Sequence, residues 1–135
     1  EYKLKFYDVF LKFINKKRKS GYHIIFTGDV NTAHEAVDLA RPKANEENTG
    51  FLPIERAWID EVINSGYVDT FRTLHPRAVD MYTYWDQKTS SRDRNVGWRI
   101  DYFFVSSELM KSVTDSSMLL EYMGSDHCPI VLKLK

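Results

Sequence analysis

The sequence predicts an α/β protein in which a mixed β-sheet carries helices on one face. Apolar residues recur at helical spacing near the start of the chain and again after Pro53. Runs rich in β-branched and aromatic residues follow, mainly in the second half. At 135 residues, the chain has the length of one domain with a real core. The order of helix, strand, helix and then several strands therefore favours a layered sheet.

A helix, a strand and a second helix are predicted in the first half of the chain. The inward stripe of the first helix is predicted to consist of Phe6, Val9, Phe10, Phe13 and Ile14. The run "YHIIFTGD" is typical of a short buried strand that ends at Gly28 and Asp29. Pro53 is a favourable first residue for the second helix, and Gly66 ends it. The inward residues of this second helix are predicted to be Ile54, Trp58, Ile59, Val62 and Ile63.

Several later segments have the composition of strands. These are "MYTYW", "GWRIDYFFVS", residues 113–121 and "PIVLKLK". In the second of them, alternation places Trp98, Ile100, Tyr102 and Phe104 on one face and Arg99, Asp101, Phe103 and Val105 on the other.

The composition excludes some classes of protein and leaves others open. A hydrophobic fraction of 43% excludes a disordered chain, and 19 basic residues against 19 acidic ones give no general attraction to nucleic acid. The single cysteine suits an intracellular protein, in the cytoplasm or the nucleus. No apolar run approaches the roughly 20 residues of a membrane span, so no membrane partner is expected. The chain opens directly into a helical pattern without a starting methionine, which indicates a fragment of a longer protein.

Three short motifs place polar side chains at predicted strand ends or within a strand. They are "GDVN" with Asp29 and Asn31, "WRIDYF" with Asp101, and "GSDH" with Asp126 and His127. Taken alone, the first motif and the last are each also typical of an ordinary polar turn. Asp101 differs, because strands are depleted in aspartate and a buried carboxylate needs a partner. A nearby histidine is the obvious candidate.

Together these residue types suit the hydrolysis of a phosphodiester. Carboxylate and amide oxygens are the ligands that Mg²⁺ prefers. A carboxylate can also take a proton from water, and an imidazole can face a phosphate oxygen. Asp101 behind His127 would fix the orientation of that imidazole.

The longer motifs make the resemblance specific. "GDVNTAHEAVDLARPKANEENTGFLPIERAW", "RNVGWRIDYFFVS" and "MGSDHCPI" resemble the exonuclease III/AP endonuclease family of DNA-repair nucleases, part of the endonuclease/exonuclease/phosphatase superfamily. The resemblance runs from residue 1 to the C-terminus. It implies the second half of a four-layer α/β sandwich with a deoxyribonuclease-like fold. The N-terminal half, which supplies a metal-binding glutamate in the family, is absent, so residues 1–135 would need it from the same protein or a partner.

The resemblance also implies roles for individual residues. The catalytic residues would be Asp29, Asn31, Asp101 and His127, and the metal ligands Asp126, Asp29 and Asn31, with Mg²⁺ as the cofactor and Mn²⁺ as an alternative. Asn45 and Asn48 fall where relatives contact DNA phosphates. Tyr84, Trp98 and Ile100 match the walls of a pocket for a base-free deoxyribose. The segment "QKTSSRDRNVGWR" is the expected electrostatic contact with DNA, with Arg94 and Arg99 as phosphate ligands.

The implied activity is incision of double-stranded DNA 5′ to abasic sites, with 3′→5′ exonuclease and 3′-end-cleaning activity in the intact protein. Two alternatives stay open. One is a phosphoesterase of the same superfamily that acts on a small phosphate ester. The other is a DNA-binding fragment without catalysis.

Overall fold

The computed structural model describes residues 2–135 and confirms the α/β class. Its helices are α1 (Tyr2–Lys19), α2 (Pro42–Asn45), α3 (Pro53–Asn64) and α4 (Thr70–Leu74). Its strands are β1 (Ile25–Asp29), β2 (Tyr67–Asp69), β3 (Tyr84–Trp85), β4 (Gly97–Trp98), β5 (Asp101–Ser106), β6 (Val113–Met118) and β7 (Ile130–Leu134). Over these residues, the structure contains no helix with the length and apolar character needed to cross a membrane.

Strand β5 lies at the centre of the main sheet, between β1 and β2. Both neighbours run antiparallel to it, and the ladder with β1 ends where Asp29 pairs with Asp101. Two further antiparallel ladders join β3 to β4 and β6 to β7. The register therefore brings two aspartates from distant parts of the chain to the same end of the sheet.

The core forms where α1 and α3 cover one face of the main sheet. Its buried residues are Tyr7, Leu11, Ile14, Trp58, Ile59, Val62, Tyr67, Tyr102 and Phe104. The rings of Tyr7 and Trp58 stack with centroids 4.0 Å apart. Burying a side chain of this size contributes roughly 1.5–3 kcal/mol, so this cluster is a major source of stability.

The predicted inward stripe of α1 is wrong for three of its five residues. Phe6, Val9 and Phe13 are 57%, 66% and 54% exposed, whereas the buried stripe contains Tyr7 and Leu11 together with Ile14. Both faces of this helix are apolar, so periodicity alone could not choose between them. Hydrogen bonds determine which face of α1 turns inward, because the Tyr7 hydroxyl donates to the carbonyl of Val30. On the same side, Arg18 donates to the carbonyls of Ser65 and Gly66.

Helix α3 begins at Pro53, as predicted, but its inward face differs at two positions. Ile54 and Ile63 are 60% and 38% exposed, and the buried set contains Glu55 in addition to the predicted Trp58, Ile59 and Val62. The first strand also differs from the prediction of a buried strand. Its residues alternate between exposed and half-buried, and Ile25 is 42% exposed.

The strand predicted over residues 97–106 is divided at Arg99 and Ile100. The Arg99 amide donates to the carbonyl of Asp38, outside any ladder, at 2.7 Å. The amides of Ile100 and Asp101 both donate to the hydroxyl of Thr83, at 3.0 and 3.1 Å. This division lets Trp98 and Ile100 face a cavity while the next residues continue as β5.

Candidate active site

A cavity of about 390 Å³ lies beside the end of the β1–β5 ladder. Its lining residues are Asp29, Asn31, Thr49, Gly50, Tyr84, Asp86, Trp98, Ile100 and His127. Six of these nine were singled out in the sequence, from four separate segments. The fold therefore brings most of the predicted site to one place.

A line of three polar side chains runs from the interior to the cavity. His127 Nδ1 lies 2.8 Å from Asp101 Oδ2, and His127 Nε2 lies 3.9 Å from Asp29 Oδ2. The Asp101 side chain is 13% exposed, whereas those of Asp29 and His127 are 35% and 30% exposed. Asp101 thus orients the ring from behind, and the other ring nitrogen is presented toward Asp29 and the cavity.

Strand β3 and its flanks hold the histidine segment in place. The amide of Trp85 donates to the carbonyl of Asp126, and the amide of Cys128 donates to the carbonyl of Thr83. Tyr84 pairs with His127 between these two bonds, with ring centroids 5.0 Å apart. The polar turn predicted from "GSDH" is therefore tied to β3 by main-chain hydrogen bonds, which limit the positions open to the imidazole.

The loop after β1 has a constrained backbone at Asn31. This residue has φ of 52°, in the left-handed region, which asparagine adopts more readily than most residues. Its amide donates to Asp29 Oδ1 at 2.7 Å. The resulting Asx-type turn fixes the position of the Asp29 carboxylate relative to the loop.

The electrostatic environment of Asp29 disfavours its charged form. Burial raises the pKa of the Asp29 carboxyl, and the charge of nearby Asp101 raises it further. The hydrogen bond from the Asn31 amide and the proximity of His127 and Lys3 act in the opposite direction without cancelling the rise. Two carboxylates next to one imidazole leave excess negative charge, which a cation at this point would relieve.

One part of the cavity lining is apolar. It contains Tyr84, Trp98 and Ile100, the three residues for which the sequence predicted this position. Gly50 packs against the ring of Trp98 at φ of +98°, and a Cβ at this residue would lie 3.2 Å from the ring. A side chain there would strain the backbone and crowd the ring, which explains the glycine.

Asp126, the remaining predicted metal ligand, faces a different environment. It lines a neighbouring cavity of about 310 Å³, and Asp86 lies between the two cavities and lines both. The Ser125 hydroxyl donates to its carboxylate at 3.3 Å. A role for Asp126 in metal binding therefore stays a prediction.

The predicted phosphate ligands differ in exposure. Asn45, the last residue of α2, is half-buried, Asn48 and Arg94 are exposed, and none of the three lines the cavity. The prediction of Arg99 as a phosphate ligand is wrong, because this side chain is fully buried. Its guanidinium donates to both carboxylate oxygens of Asp38 and both of Asp69, at 2.7 to 3.1 Å.

Sequence reasoning missed several residues that support the site. Lys3, in the first turn of α1, forms a 2.8 Å ion pair with buried Glu55. Thr49 accompanies Gly50 in the cavity wall. Arg92 donates to the carbonyls of Leu120, Tyr122 and Ser125, which ties down the loop before His127. For Glu55, the one signal in the sequence was its position in the first turn of a predicted helix, but glutamate is also common at exposed helix starts.

A second cluster of ligand-type side chains lies elsewhere. His34 Nε2 is 2.8 Å from Asp60 and 3.5 Å from Glu35, and Arg56 pairs with Glu35 at 3.3 Å. None of these four residues lines the cavity beside Asp29. The direct hydrogen bond and ion pairs account for this cluster as a surface network.

The fold and the cavity define a class of α/β protein with an aspartate–histidine–aspartate line beside an apolar wall. Residues 1–127 match the Endonuclease/Exonuclease/phosphatase family, and the chain belongs to that family. The match covers nearly the whole chain and includes each residue of the line.

Individual relatives agree with this assignment. The chain is 45% identical over 109 residues to an exodeoxyribonuclease of Bacillus subtilis, covering 81% of this chain and 43% of that protein. It is 40% identical over 131 residues to a DNA-(apurinic or apyrimidinic site) endonuclease of Dictyostelium discoideum, covering 96% of this chain and 36% of the relative. The resemblance to the exonuclease III/AP endonuclease family is thereby confirmed.

A solved structure gives the same result. The AP endonuclease of Leishmania major superimposes with a TM-score of 0.79 at 40% identity, over 82% of this chain and 34% of that chain. The chain thus spans less than half the length of each of these relatives.

Proposed function

We propose that this chain is the C-terminal half of a Mg²⁺-dependent DNA-repair phosphodiesterase. The intact protein would incise DNA 5′ to abasic sites and would also act as a 3′→5′ exodeoxyribonuclease and 3′-end-cleaning enzyme. The observation that carries the proposal is the single cavity in which Asp29 and His127 face an apolar wall of Tyr84, Trp98 and Ile100. The same site can serve all three activities, because each breaks a P–O bond next to a 3′ or abasic-site sugar.

The protein groups divide the chemistry between them. Asp29 takes the proton from the attacking water or serves the leaving oxygen, and Asn31 orients that water or the phosphate. His127 contacts a non-bridging oxygen of the scissile phosphate through Nε2. Its other nitrogen is held by Asp101 at 2.8 Å, so the ring does not have to reorganise as charge develops.

The oxygen donors at this end of the sheet fit a hard divalent cation. Asp29 and Asn31 line the cavity, and burial together with the nearby charge of Asp101 raises the pKa of Asp29. Mg²⁺, or Mn²⁺ as the alternative, would be held by these two residues together with Asp126. When bound, such an ion neutralises charge on the phosphoryl oxygens.

The substrate class follows from the wall and the surrounding loops. A base-free deoxyribose is small and largely apolar on its ring faces, and extruding it costs less than extruding a paired base. Trp98, Ile100 and Tyr84 offer it an apolar surface beside the catalytic line. Asn45, Asn48 and Arg94, which lie outside the cavity, would contact the flanking phosphates without reading sequence.

A small phosphate ester is the second candidate substrate, because the catalytic line alone does not discriminate between esters. The apolar wall favours a sugar attached to a duplex, since a free polyol phosphate has little apolar surface to bury there. Measuring kcat/KM for an abasic duplex and for inositol phosphates with the same preparation separates the two. A higher value for the small ester would reject the DNA substrate.

The proposal predicts metal-dependent incision that depends on Asp29. In the intact protein, a duplex with one abasic site should be cut on the 5′ side of the lesion with Mg²⁺ and left intact with EDTA. Asp29→Asn should lower the rate at least about 100-fold, the scale of a positioned acid–base group. Asp115→Asn is the matched control, because Asp115 pairs with Lys133 outside the cavity. Near-normal incision by Asp29→Asn would show that the catalytic centre is assigned wrongly.

A further inference from the structure

Lys3, in the first turn of α1, contacts a loop that borders the cavity and the first turn of α3. Its ammonium donates to the carbonyl of Asn31 at 2.6 Å and to Glu55 Oε1 at 2.8 Å. The Lys3 side chain is 26% exposed and that of Glu55 is 5% exposed. One cation, supplied from a helix that does not line the cavity, therefore joins α3 to the loop that carries the predicted catalytic residues.

The carboxylate of Glu55 organises a second loop. It accepts hydrogen bonds from the Thr49 hydroxyl at 2.9 Å, the Gly50 amide at 2.6 Å and the Leu52 amide at 3.3 Å. Burial alone raises the pKa of Glu55, but the hydrogen bonds from Lys3, Thr49 and Gly50 outweigh this and hold it below its ordinary value. The glutamate is therefore ionised at neutral pH and needs a cation beside it.

The first loop is constrained from the same side. The Tyr7 hydroxyl donates to the carbonyl of Val30 and lies 2.9 Å from Thr32 Oγ1, so contacts from α1 flank Asn31 on both sides. The Ala33 amide donates to the carbonyl of Gly50 at 2.8 Å, which couples the two loops directly. The left-handed backbone of Asn31 is an uncommon conformation that persists where its surroundings hold it.

We propose that Lys3 and Glu55 are positioning residues that set the orientation of Asn31 in the active site. Lys3 fixes the Asn31 carbonyl, and Glu55 fixes both Lys3 and the Thr49–Gly50 turn against which the Asn31 loop packs. Neither side chain reaches the cavity, since neither belongs to its lining. The predicted effect on activity rests on the proposed nuclease function, whereas the predicted effect on the local structure does not.

The activity test is a double-mutant cycle in the intact protein. Lys3→Met should lower kcat for the abasic duplex by roughly 10- to 100-fold, as expected for a misplaced catalytic group, with KM nearly unchanged. Lys3→Arg, which keeps a cationic donor, should restore most of the rate. In an Asn31→Ala background, Lys3→Met should have almost no further effect, because the group through which it acts is gone.

Lys12→Met is the matched control, because Lys12 is exposed on the same helix. It should leave kcat unchanged. If Lys3→Met lowers kcat equally with and without Asn31, or if Lys12→Met lowers it as much, the positioning role is overturned. A purely structural role would lower the unfolding free energy but would not depend on the Asn31 background. If Lys3→Met does not fold, Lys3→Gln completes the same cycle with a neutral donor.

An NMR measurement distinguishes failure of this inference from failure of the proposed function. In amide-resolved NMR spectra of ¹⁵N-labelled intact protein, Lys3→Met should shift the signals of Asn31 and Gly50, and Lys12→Met should not. Unshifted signals would overturn the positioning role whether or not the protein cuts DNA. Absence of incision by the unaltered protein, with the shifts present, would reject only the proposed function.

Discussion

At the scale of single residues, His127 and Cys128 show how neighbouring side chains receive opposite environments. His127 lies between two carboxylates at the cavity, 30% exposed. Cys128 points the other way, is buried beside Tyr82 and Trp85, and faces the carbonyl of Tyr82 at 3.7 Å. Alternation along an extended segment therefore separates a reactive polar position from an inert one.

The environment of Cys128 predicts an unreactive thiol. Burial raises its pKa to about 11, so at pH 8 the thiolate, which is the reactive form, is scarce. Native protein should react with Ellman's reagent far more slowly than urea-unfolded protein, as followed by absorbance. Cys128→Ala should keep the incision rate of the unaltered protein. Fast labelling of the native thiol would contradict the buried position.

At the scale of elements, the segment from β4 to β5 has two roles: Arg99 anchors it in the core, and its neighbours Trp98 and Ile100 line the cavity. Its guanidinium lies buried between Asp38 and Asp69, and Arg72 adds a further ion pair to Asp38 at 2.7 Å. Burial alone raises the pKa of Asp38, but the Arg99 charge and the hydrogen bonds hold it below its usual value. This network anchors the point at which the strand divides and the cavity wall begins.

Removing that cation should destabilise the protein in a pH-dependent way. Arg99→Met leaves the buried carboxylate of Asp69 without its ion-pair partner and that of Asp38 with Arg72 alone, and should cost about 3–5 kcal/mol of unfolding free energy. Because the pKa of Asp38 is lowered in the fold, its contribution is complete above about pH 4 and is lost as pH falls through the folded value. The difference in unfolding free energy between the unaltered protein and Arg99→Met, measured by urea unfolding, should therefore decrease below about pH 4. Arg94→Met, at an exposed position, should change stability little; a comparable loss there would contradict the assignment.

At the scale of the whole molecule, the chain spans only part of the length of the relatives that it matches. It covers 43% of the Bacillus subtilis exodeoxyribonuclease and 36% of the Dictyostelium discoideum endonuclease. Large apolar side chains are exposed on α1 and at Ile25 of the main sheet. Under the proposed function, a second half supplies a further metal ligand, as the resemblance implies, and the cavity described here holds only part of the proposed metal site.

The 135-residue chain alone is therefore expected to bind duplex DNA without cutting it efficiently. Binding measured by fluorescence anisotropy should weaken as salt rises, and Arg94→Gln should reduce the slope of log K against log salt by about 1. Incision with Mg²⁺ should be absent or very slow. Robust Mg²⁺-dependent turnover by the purified chain would show that its metal site is already complete. Salt-insensitive binding would argue against the predicted phosphate contacts.

Much of the fold and the site could be predicted from local patterns. Helical spacing, Pro53 and Gly66 indicated α3, and the aromatic and β-branched runs indicated the later strands. The polar motifs at strand ends indicated Asp29, Asn31 and His127, and an aspartate within a strand indicated a partner for Asp101. Most of these inferences succeed because they depend on residues close together in the chain, whereas the partner of Asp101, His127, lies 26 residues away and was inferred from the cost of a buried carboxylate.

What the sequence by itself determined is the α/β class, the family and the residues that meet at the cavity. Only the tertiary structure decided which apolar face of α1 turns inward, that Arg99 is buried between Asp38 and Asp69, and that Lys3 reaches Asn31 and Glu55. For the two basic residues the physical reason is the same. An arginine or lysine has the same local pattern whether it binds solvent, DNA or a buried carboxylate, and the choice depends on partners that lie 28 to 61 residues away in the chain.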